Sequence, residues 1–183
     1  NDPNNIDYLT DENIRLVAEI SNSSPYLNEG ISIVYKLYFR NPISITDVQE
    51  LESPSYGDFW SSKINIGRAQ VNPKGRYKGE PFNEVVWQKV VLYPQKSGEL
   101  NVQPLTLNLS LTVPSNRRDL FGRRILTQGQ KTITAGRKIL NVKPLPLEGQ
   151  PQSFSGAVGQ FDFDLILSKE ALKASESFQA KIK

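Results

Sequence analysis

"IRLVAEISNSSPYLNEGISIVYK", residues 14–36, decides the fold class because two alternating apolar patterns flank a short polar connection. Apolar side chains recur at every second position from Ile14 to Ile20, and again from Ile31 to Phe39. Successive side chains of a β-strand point to opposite faces, so each pattern predicts a half-buried strand. The stretch therefore predicts two consecutive strands at the start of a β fold.

The same pattern returns 147 positions later, in "FDFDLILSKEALKASESFQAKIK", residues 161–183. An ungapped superposition of the two stretches places Ile14 on Phe161 and Glu29 on Glu176. Recurrence at a fixed offset is the sequence signature of a repeated structural unit. We therefore predict that the opening pair of strands occurs twice.

Strand patterns continue between these two stretches, separated by clusters of Pro, Gly, Asn and Ser. The candidate strands begin at Ile43, Phe59, Glu84, Glu99, Arg123 and Lys138. No apolar period of 3.6 residues reaches helical length, although "SKEALKASE" from Ser168 has the composition of a short helical turn. Many short strands between turn residues are typical of an antiparallel β-sandwich, so we predict an all-β fold of this kind.

A Pro- and Gly-rich connection, "KPLPLEGQPQSFSGAVGQF" at residues 143–161, separates the two copies of the pattern. Proline lacks a backbone donor, which excludes this stretch from a central strand. The predicted organisation is a flexible N-terminal segment at 1–12, a sandwich domain at 13–144, an interdomain linker at 145–159 and the start of a second, truncated β domain at 160–183. Small and apolar linker residues are predicted to pack between the domains, namely Phe154, Gly156, Val158 and Gly159.

Composition excludes several kinds of chemistry. The 183 residues include no Cys and no His, so a thiolate nucleophile, a disulfide framework, a Cys/His zinc site and a Ser-His-Asp triad are all excluded. No apolar run approaches the roughly 20 residues that cross a bilayer. The chain starts at Asn1 and contains no Met, so we interpret it as a trimmed segment whose targeting signals lie outside it. No cofactor is predicted.

Two motifs suggest ligands, but strand geometry or linker packing explains each of them. "FSGAVGQF" from Phe154 is glycine-rich but lacks the Lys-Ser/Thr of a phosphate loop. Asp162 and Asp164 are spaced like calcium ligands, yet alternate residues of a strand share one solvent face. We therefore predict neither a phosphate site nor a metal site.

Aromatic and acidic residues leave two alternative functions open. Trp60 follows Gly57 near a turn and is the better candidate for an exposed aromatic in a carbohydrate-binding module. Trp87 is predicted to be half-buried, on one strand face with Val85 and Val91. The carboxylates of "DVQELE" from Asp47 and of "YGDF" from Tyr56 are the candidates for glycoside hydrolysis, which needs two of them at a separation of about 5–10 Å.

The strongest local charge signal lies between Ser115 and Lys143, where eight basic residues stand against the single acid Asp119, a net charge of +7 (8 − 1). Its centre is "RRDLFGRR", residues 117–124, in a predicted loop between two long strands. One interpretation of this stretch is a solvated hairpin loop. The other is a contact surface, in which an apolar pair surrounded by arginines docks on the acidic face of a membrane-associated protein or on anionic lipid headgroups. The predicted partner-binding residues are Arg117, Arg118, Leu120, Phe121, Arg123 and Arg124. Few aromatic residues interleave with these charges, so nucleic acid is not the predicted partner.

Two stretches carry a family resemblance, "VVLYPQKSGELNVQPLTLNL" at residues 90–109 and "LPLEGQPQSFSGAVG" at residues 145–159. Together with the opening strands and Glu29 between them, they resemble the BatD family, the bacterial oxygen-tolerance or aerotolerance proteins. The resemblance covers most of the chain and carries over no catalytic residue. It implies a signal peptide, tandem immunoglobulin-like extracytoplasmic domains, a membrane helix outside this chain, and an envelope assembly with von Willebrand A-type partners.

The sequence therefore predicts a non-catalytic protein-interaction module on the periplasmic or extracytoplasmic face of the bacterial inner membrane. By the resemblance, its sandwich is immunoglobulin-like and its partners are other Bat-operon envelope proteins. A chain without Cys, Met or His has little means to detoxify an oxidant itself. Any role in oxygen tolerance is therefore expected to belong to the whole assembly.

Overall fold

The computed structural model describes residues 6–169, 171 and 173–182, and in these residues the fold is almost entirely β. A single helix, α1 (Ile6–Asn13), precedes the first strand. The strands are β1 (Ile14–Ile20), β2 (Ile31–Phe39), β3 (Ser44–Glu52), β4 (Phe59–Ile64), β5 (Val71–Tyr77), β6 (Glu80–Pro94), β7 (Gly98–Val102), β8 (Thr106–Arg118), β9 (Arg124–Thr134), β10 (Lys138–Val142), β11 (Leu165–Leu167) and β12 (Ala180–Ile182).

Two antiparallel sheets enclose the core. The first sheet has the order β1-β2-β6-β4, with β5 also paired to β6, and the second has the order β3-β8-β9. A two-stranded ribbon of β7 and β10 completes the enclosure. The predicted all-β sandwich is confirmed, and its strands are antiparallel as the short, turn-rich connections required.

The core consists of the inward-facing residues of both sheets and the ribbon. Alternate residues of β8, from Leu107 to Val113, are at most 1% exposed, as are Leu100 on β7 and Leu140 on β10. Full burial of one such side chain contributes about 1.5–3 kcal/mol. The period-2 pattern of β8 therefore supplies much of the second sheet's inner face.

The single strand predicted from Glu99 is corrected to two strands. Residues 103–105 separate β7 from β8, and the two strands lie in different sheets. Pro104 has no backbone donor for a ladder, which explains the break at this point. Leu105 still packs in the core at 0% exposure, so the apolar pattern had continued across the break.

Strand β5 was not predicted, because Pro73 and Gly75 interrupt its sequence. It pairs with the first half of β6, and the register shifts between Asn72 and Gly75. Backbones approach closely here, since a Cβ on Gly75 would lie 2.5 Å from the Glu84 Cβ and 2.9 Å from the Phe82 carbonyl oxygen. The glycine that weakened the strand pattern is therefore the residue that permits this pairing.

The N-terminal segment, expected to be flexible, contains helix α1. Thr10 in this helix is only 1% exposed, and its hydroxyl donates to the Asp7 carbonyl at 3.0 Å. Lys131 on β9 forms ion pairs with Asp7 and Asp11, each at 3.0 Å, so the helix is tied to the second sheet. With only eight residues, α1 is too short to display a helical apolar period.

The β11–β12 pair repeats the register of the β1–β2 pair. Leu165 pairs with Ile182 in the second hairpin, and Ala18 pairs with Tyr35 in the first. Ala18 and Tyr35 each lie 147 positions before their equivalents, Leu165 and Ile182. The other two partner pairs of β11 and β12 follow the same offset. These strands form a separate sheet and do not extend either sheet of the sandwich.

The connections of the two hairpins also repeat. Asn28 has a φ of 63° and its equivalent Ser175 a φ of 74°, a conformation that is uncommon for residues other than glycine. The helical turn predicted from Ser168 is not seen in the described residues of this stretch, which instead form a connection that turns at Ser175. Residues 170 and 172 lie outside the described residues.

A glutamate holds each connection in the same way. The Glu29 carboxylate accepts the Tyr26 amide proton at 2.7 Å, and that of Glu176 accepts the Lys173 amide proton at 3.5 Å. The Glu29 amide in turn donates to the Tyr26 carbonyl, and the Glu176 amide to the Lys173 carbonyl. The repeat seen in the sequence is therefore a repeat of backbone geometry as well.

Candidate functional site

The sequence "RRDLFGRR" forms the closed end of the β8–β9 hairpin, here called the hairpin tip (residues 117–124). The Asp119 amide donates to the Arg123 carbonyl at 2.8 Å, and the Gly122 amide to the Asp119 carbonyl at 3.0 Å. Gly122 has a φ of +76°, which glycine adopts without the steric cost of a Cβ. The turn is therefore built from backbone hydrogen bonds.

The Asp119 side chain organises the inside of the turn. One carboxylate oxygen accepts the amide protons of Phe121 and Arg123, each at 2.9 Å, and the other accepts the Arg123 Nε at 3.0 Å. These bonds hold the pKa of Asp119 below its usual value, and the bond from the Arg123 backbone amide has the largest effect. The single acid of the basic stretch is thus engaged inside the loop.

The apolar pair at the apex is fully presented to solvent. Leu120 is 101% exposed and Phe121 is 81% exposed. The Arg123 guanidinium lies 5.5 Å from the centre of the Phe121 ring, and Arg118 donates to the Gly122 carbonyl at 2.7 Å. Two arginines therefore support the apex from within the turn, and Arg117 and Arg124 are exposed beside it.

The hairpin projects beyond the core of the sandwich. On β8 the inward-facing side chains are buried as far as Val113, whereas its last two residues, Arg117 and Arg118, are exposed. The first five residues of β9 are all exposed, and they include Ile125 at 43% and Leu126 at 64%. All six residues predicted to contact a partner therefore lie together on one protruding arm.

The linker contacts the first domain through its C-terminal part. Val158 forms a parallel bridge with Glu29, and both Val158 and Gly156 are half-buried. Phe154 is 37% exposed, and the Phe154 amide donates to the Pro151 carbonyl at 3.1 Å. Gly159 is exposed, with a φ of +144°. Of the four residues predicted to pack between domains, the structure thus places Val158 in contact with the first sandwich.

The two tryptophans differ in exposure. Trp60 is 60% exposed on β4, and its ring centre lies 5.2 Å from that of Tyr93. Trp87 is half-buried, and its indole donates to the Glu50 carboxylate at 3.0 Å. The prediction that Trp87 shares a face with Val85 agrees with its packing against the core and its bond to Glu50 of the second sheet. A bulge opposite Tyr35 reverses the alternation after Trp87, so Val91, predicted on the same face, lies on the other one.

The acidic candidates are spread over separate contacts. Asp58 pairs with Lys96 at 2.7 Å, Glu50 accepts the Trp87 indole proton, and Asp47 is exposed on β3. Asp162 and Asp164 lie in chain without regular secondary structure. In the described part of the chain, no group of three or more His, Cys, Asp or Glu residues is arranged to hold a metal ion.

A buried tyrosine pair was not foreseen from the sequence. The hydroxyl of Tyr56 lies 3.5 Å from that of Tyr35, and the Gln88 side-chain amide donates to Tyr56 at 3.4 Å. Burial raises the pKa of both tyrosines. These polar groups tie the β3–β4 connection, which contains Tyr56, to β2 and β6 of the first sheet, and each satisfies the hydrogen-bonding needs of the next.

Comparison of the chain with protein-family models, with curated proteins and with solved structures found no match. Among the described residues, no helix has both the length and the hydropathy required to cross a bilayer.

Proposed function

We propose that this protein is a non-catalytic interaction module of a membrane-anchored envelope assembly of the BatD type, working on the extracytoplasmic side. The resemblance in residues 90–109 and 145–159 supports the setting, including immunoglobulin-like sandwich domains in tandem. The repeated hairpin supports the tandem arrangement, because β11 and β12 reproduce the register of β1 and β2.

The observation that carries the proposal is the hairpin tip. Large apolar side chains with no cover are unfavourable in water, and Leu120 and Phe121 make no contribution to the core. A contact surface explains their position, since binding energy is concentrated in a few central apolar residues with a polar rim. We infer that Phe121 is the central contact and that the arginines form the rim.

The partner surface that fits this tip is the acidic face of another protein of the assembly, a von Willebrand A-type protein by the resemblance. An arginine fork makes paired hydrogen bonds to carboxylates, and four arginines against one internally bonded aspartate leave a net charge of +3 (4 − 1) on residues 117–124. The charges accelerate the encounter, while burial of Phe121 slows dissociation.

Site-specific photo-crosslinking in cells tests the partner class. A photoreactive residue at position 121 of the full-length protein should capture a von Willebrand A-type protein. The matched control is position 147, because Leu147 is also a large apolar side chain, 84% exposed, but lies in the linker. Capture of the same proteins from both positions, or of no protein from position 121, would contradict the proposal.

Binding kinetics of the purified pair test the division of roles. Replacement of the four tip arginines by Ser should slow association about tenfold or more at low salt, with little difference at high salt. Phe121→Ala should raise the dissociation rate roughly tenfold to thirtyfold, and Leu147→Ala should change neither rate. Binding of the tip to anionic lipid vesicles, with no effect of either variant on the protein partner, would identify a membrane as the docking surface and overturn an acidic protein face.

A further inference from the structure

A groove lies between the first sandwich and the linker, at the end where β2 begins and β6 ends. Trp60 and Tyr93 form one side, Gly156 to Val158 of the linker form the other, and Phe161 closes one end. Its volume is about 380 Å³, within the range of roughly 300–1,000 Å³ that is typical of small-molecule sites. Clefts between structural units are a preferred position for such sites.

The aromatic side of the groove is available to a ligand. Trp60 and Tyr93 occupy directly opposite positions on β4 and β6, so the strand pairing fixes their rings side by side. Trp60 remains 60% exposed despite this contact, and Phe161 is 70% exposed. Aromatic faces carry negative charge density that attracts the C–H groups of an apolar surface.

The polar groups of the groove are amides and not charges. Asn28 and Gln95 line it, and none of the described residues that line it is Lys, Arg, Asp or Glu. The Gln95 Nε2 donates to the Tyr93 carbonyl at 3.0 Å, which fixes that side chain at the wall. Amides both donate and accept hydrogen bonds, which suits ligand hydroxyl groups, whereas an ionic ligand would find no counter-charge.

The linker wall is held in place by backbone contacts. Val158 forms a bridge with Glu29. The neighbouring residue Asn28 donates its backbone amide proton to the Pro94 carbonyl at 3.1 Å. Gly159, at a φ of +144°, lets the chain turn so that the Phe161 ring lies against it, 3.7 Å from where a Cβ would be. The two sides of the groove are therefore positioned relative to each other without a ligand.

We propose that this groove binds a neutral oligosaccharide, with a pyranose ring stacked on Trp60 and its hydroxyl groups bonded to Asn28 and Gln95. A pyranose presents C–H groups on its faces and hydroxyls at its edge, which matches the aromatic side and the amides respectively. The site is independent of the proposed function, because the hairpin tip follows the C-terminal end of β8, and none of the described residues that line the groove belongs to β8 or β9.

Two-dimensional NMR tests the proposal on the intact chain with chitotetraose, cellotetraose and maltotetraose as probes. The two indole N–H signals serve as reporter and internal control, because Trp60 lines the groove while the Trp87 indole is bonded to Glu50. We expect at least one probe to shift the Trp60 signal saturably and to leave the Trp87 signal in place. A heparin-derived tetrasaccharide should leave the Trp60 signal unchanged.

Variants assign the effect to the groove. Trp60→Ala should weaken binding at least tenfold, followed through backbone amide signals of residues 156–158. Tyr8→Ala, which removes an exposed aromatic of helix α1 outside the groove lining, is the matched control and should bind as the parent does. Absence of a saturable shift with all three neutral probes, or affinity that survives Trp60→Ala, would overturn the proposal, as would a Trp60 shift with the anionic probe alone.

Discussion

Three buried or half-buried tyrosines give single residues an influence on how the fold responds to pH. Desolvation is the main cause that raises the pKa of Tyr35 and Tyr56, and it raises the pKa of Tyr38 to about 12. A neutral phenol therefore suits the folded state better than a phenolate does. The resulting stabilisation is fully present below the unfolded pKa of 10.0.

We predict that the free energy of unfolding falls as the pH rises above about 10, because the unfolded chain then loses protons that the folded chain retains. Urea denaturation at a series of alkaline pH values measures this change. Tyr56→Phe should reduce the slope, because it removes one of the phenols whose pKa burial raises. A stability that stays level between pH 9 and pH 12 would contradict the prediction.

Residue-level detail was the part least accessible from the sequence. Exposure of Leu120 and Phe121 followed from their position between arginine pairs in a loop, and the structure places both at the apex. The Trp87 bulge was not predictable from alternation, because an extra residue reverses the period without changing the composition. The Tyr35–Tyr56 contact joins residues 21 positions apart, so only the folded position of the β3–β4 connection against β2 reveals it.

At the scale of elements, the β5–β6 pairing depends on the absence of a side chain at residue 75. We predict that Gly75→Ala destabilises the protein by about 1–3 kcal/mol, because the new methyl group would meet the Phe82 carbonyl and the Glu84 Cβ at distances that require backbone movement. Urea denaturation measures the loss, and amide exchange should locate it in β5. Gly57→Ala is the control, since a Cβ there meets nothing within 4 Å.

Equal stability of the Gly75 and Gly57 variants would show that the edge strand shifts at no cost. Such a result would also place β5 among the weakly held parts of the sheet. Strand β5 was not predicted for a related reason. Pro and Gly indicate a break in most strands, and here the register shift between β5 and β6 accommodates both residues. Most other strands had uninterrupted alternation and were predicted.

Helix α1 could not be predicted from the sequence either. Its helical turns are held by Thr10, Asn13 and the ion pairs with Lys131, and not by an apolar stripe. Contacts between residues more than 100 positions apart leave no local signal. The strands of the fold could therefore be predicted from periodicity, whereas elements that depend on long-range polar contacts could not.

For the whole molecule, the linker joins the β11–β12 hairpin to the first sandwich and contacts that sandwich where Val158 bridges to Glu29. We predict that Val158→Asp increases the motion of residues 173–182, because it replaces a half-buried apolar contact with a charge beside Glu29. Backbone ¹⁵N relaxation of β12 measures the change. Phe154→Ala, at a residue that is 37% exposed, should have a smaller effect. Relaxation rates that respond to Phe154→Ala and not to Val158→Asp would place the anchor at the other end of the linker.

The duplicated hairpin also bears on how the chain folds. Because β11 matches β1 in register and in connection, it is a competitor for the open side of β2 during folding. The native pairing closes residues 21–30, a loop of 10 residues, whereas the competing one would close residues 40–164, a loop of 125. The longer closure costs on the order of 2 kcal/mol more in chain entropy. Sequence proximity thus favours the native pairing of β1 with β2 over its replacement by β11.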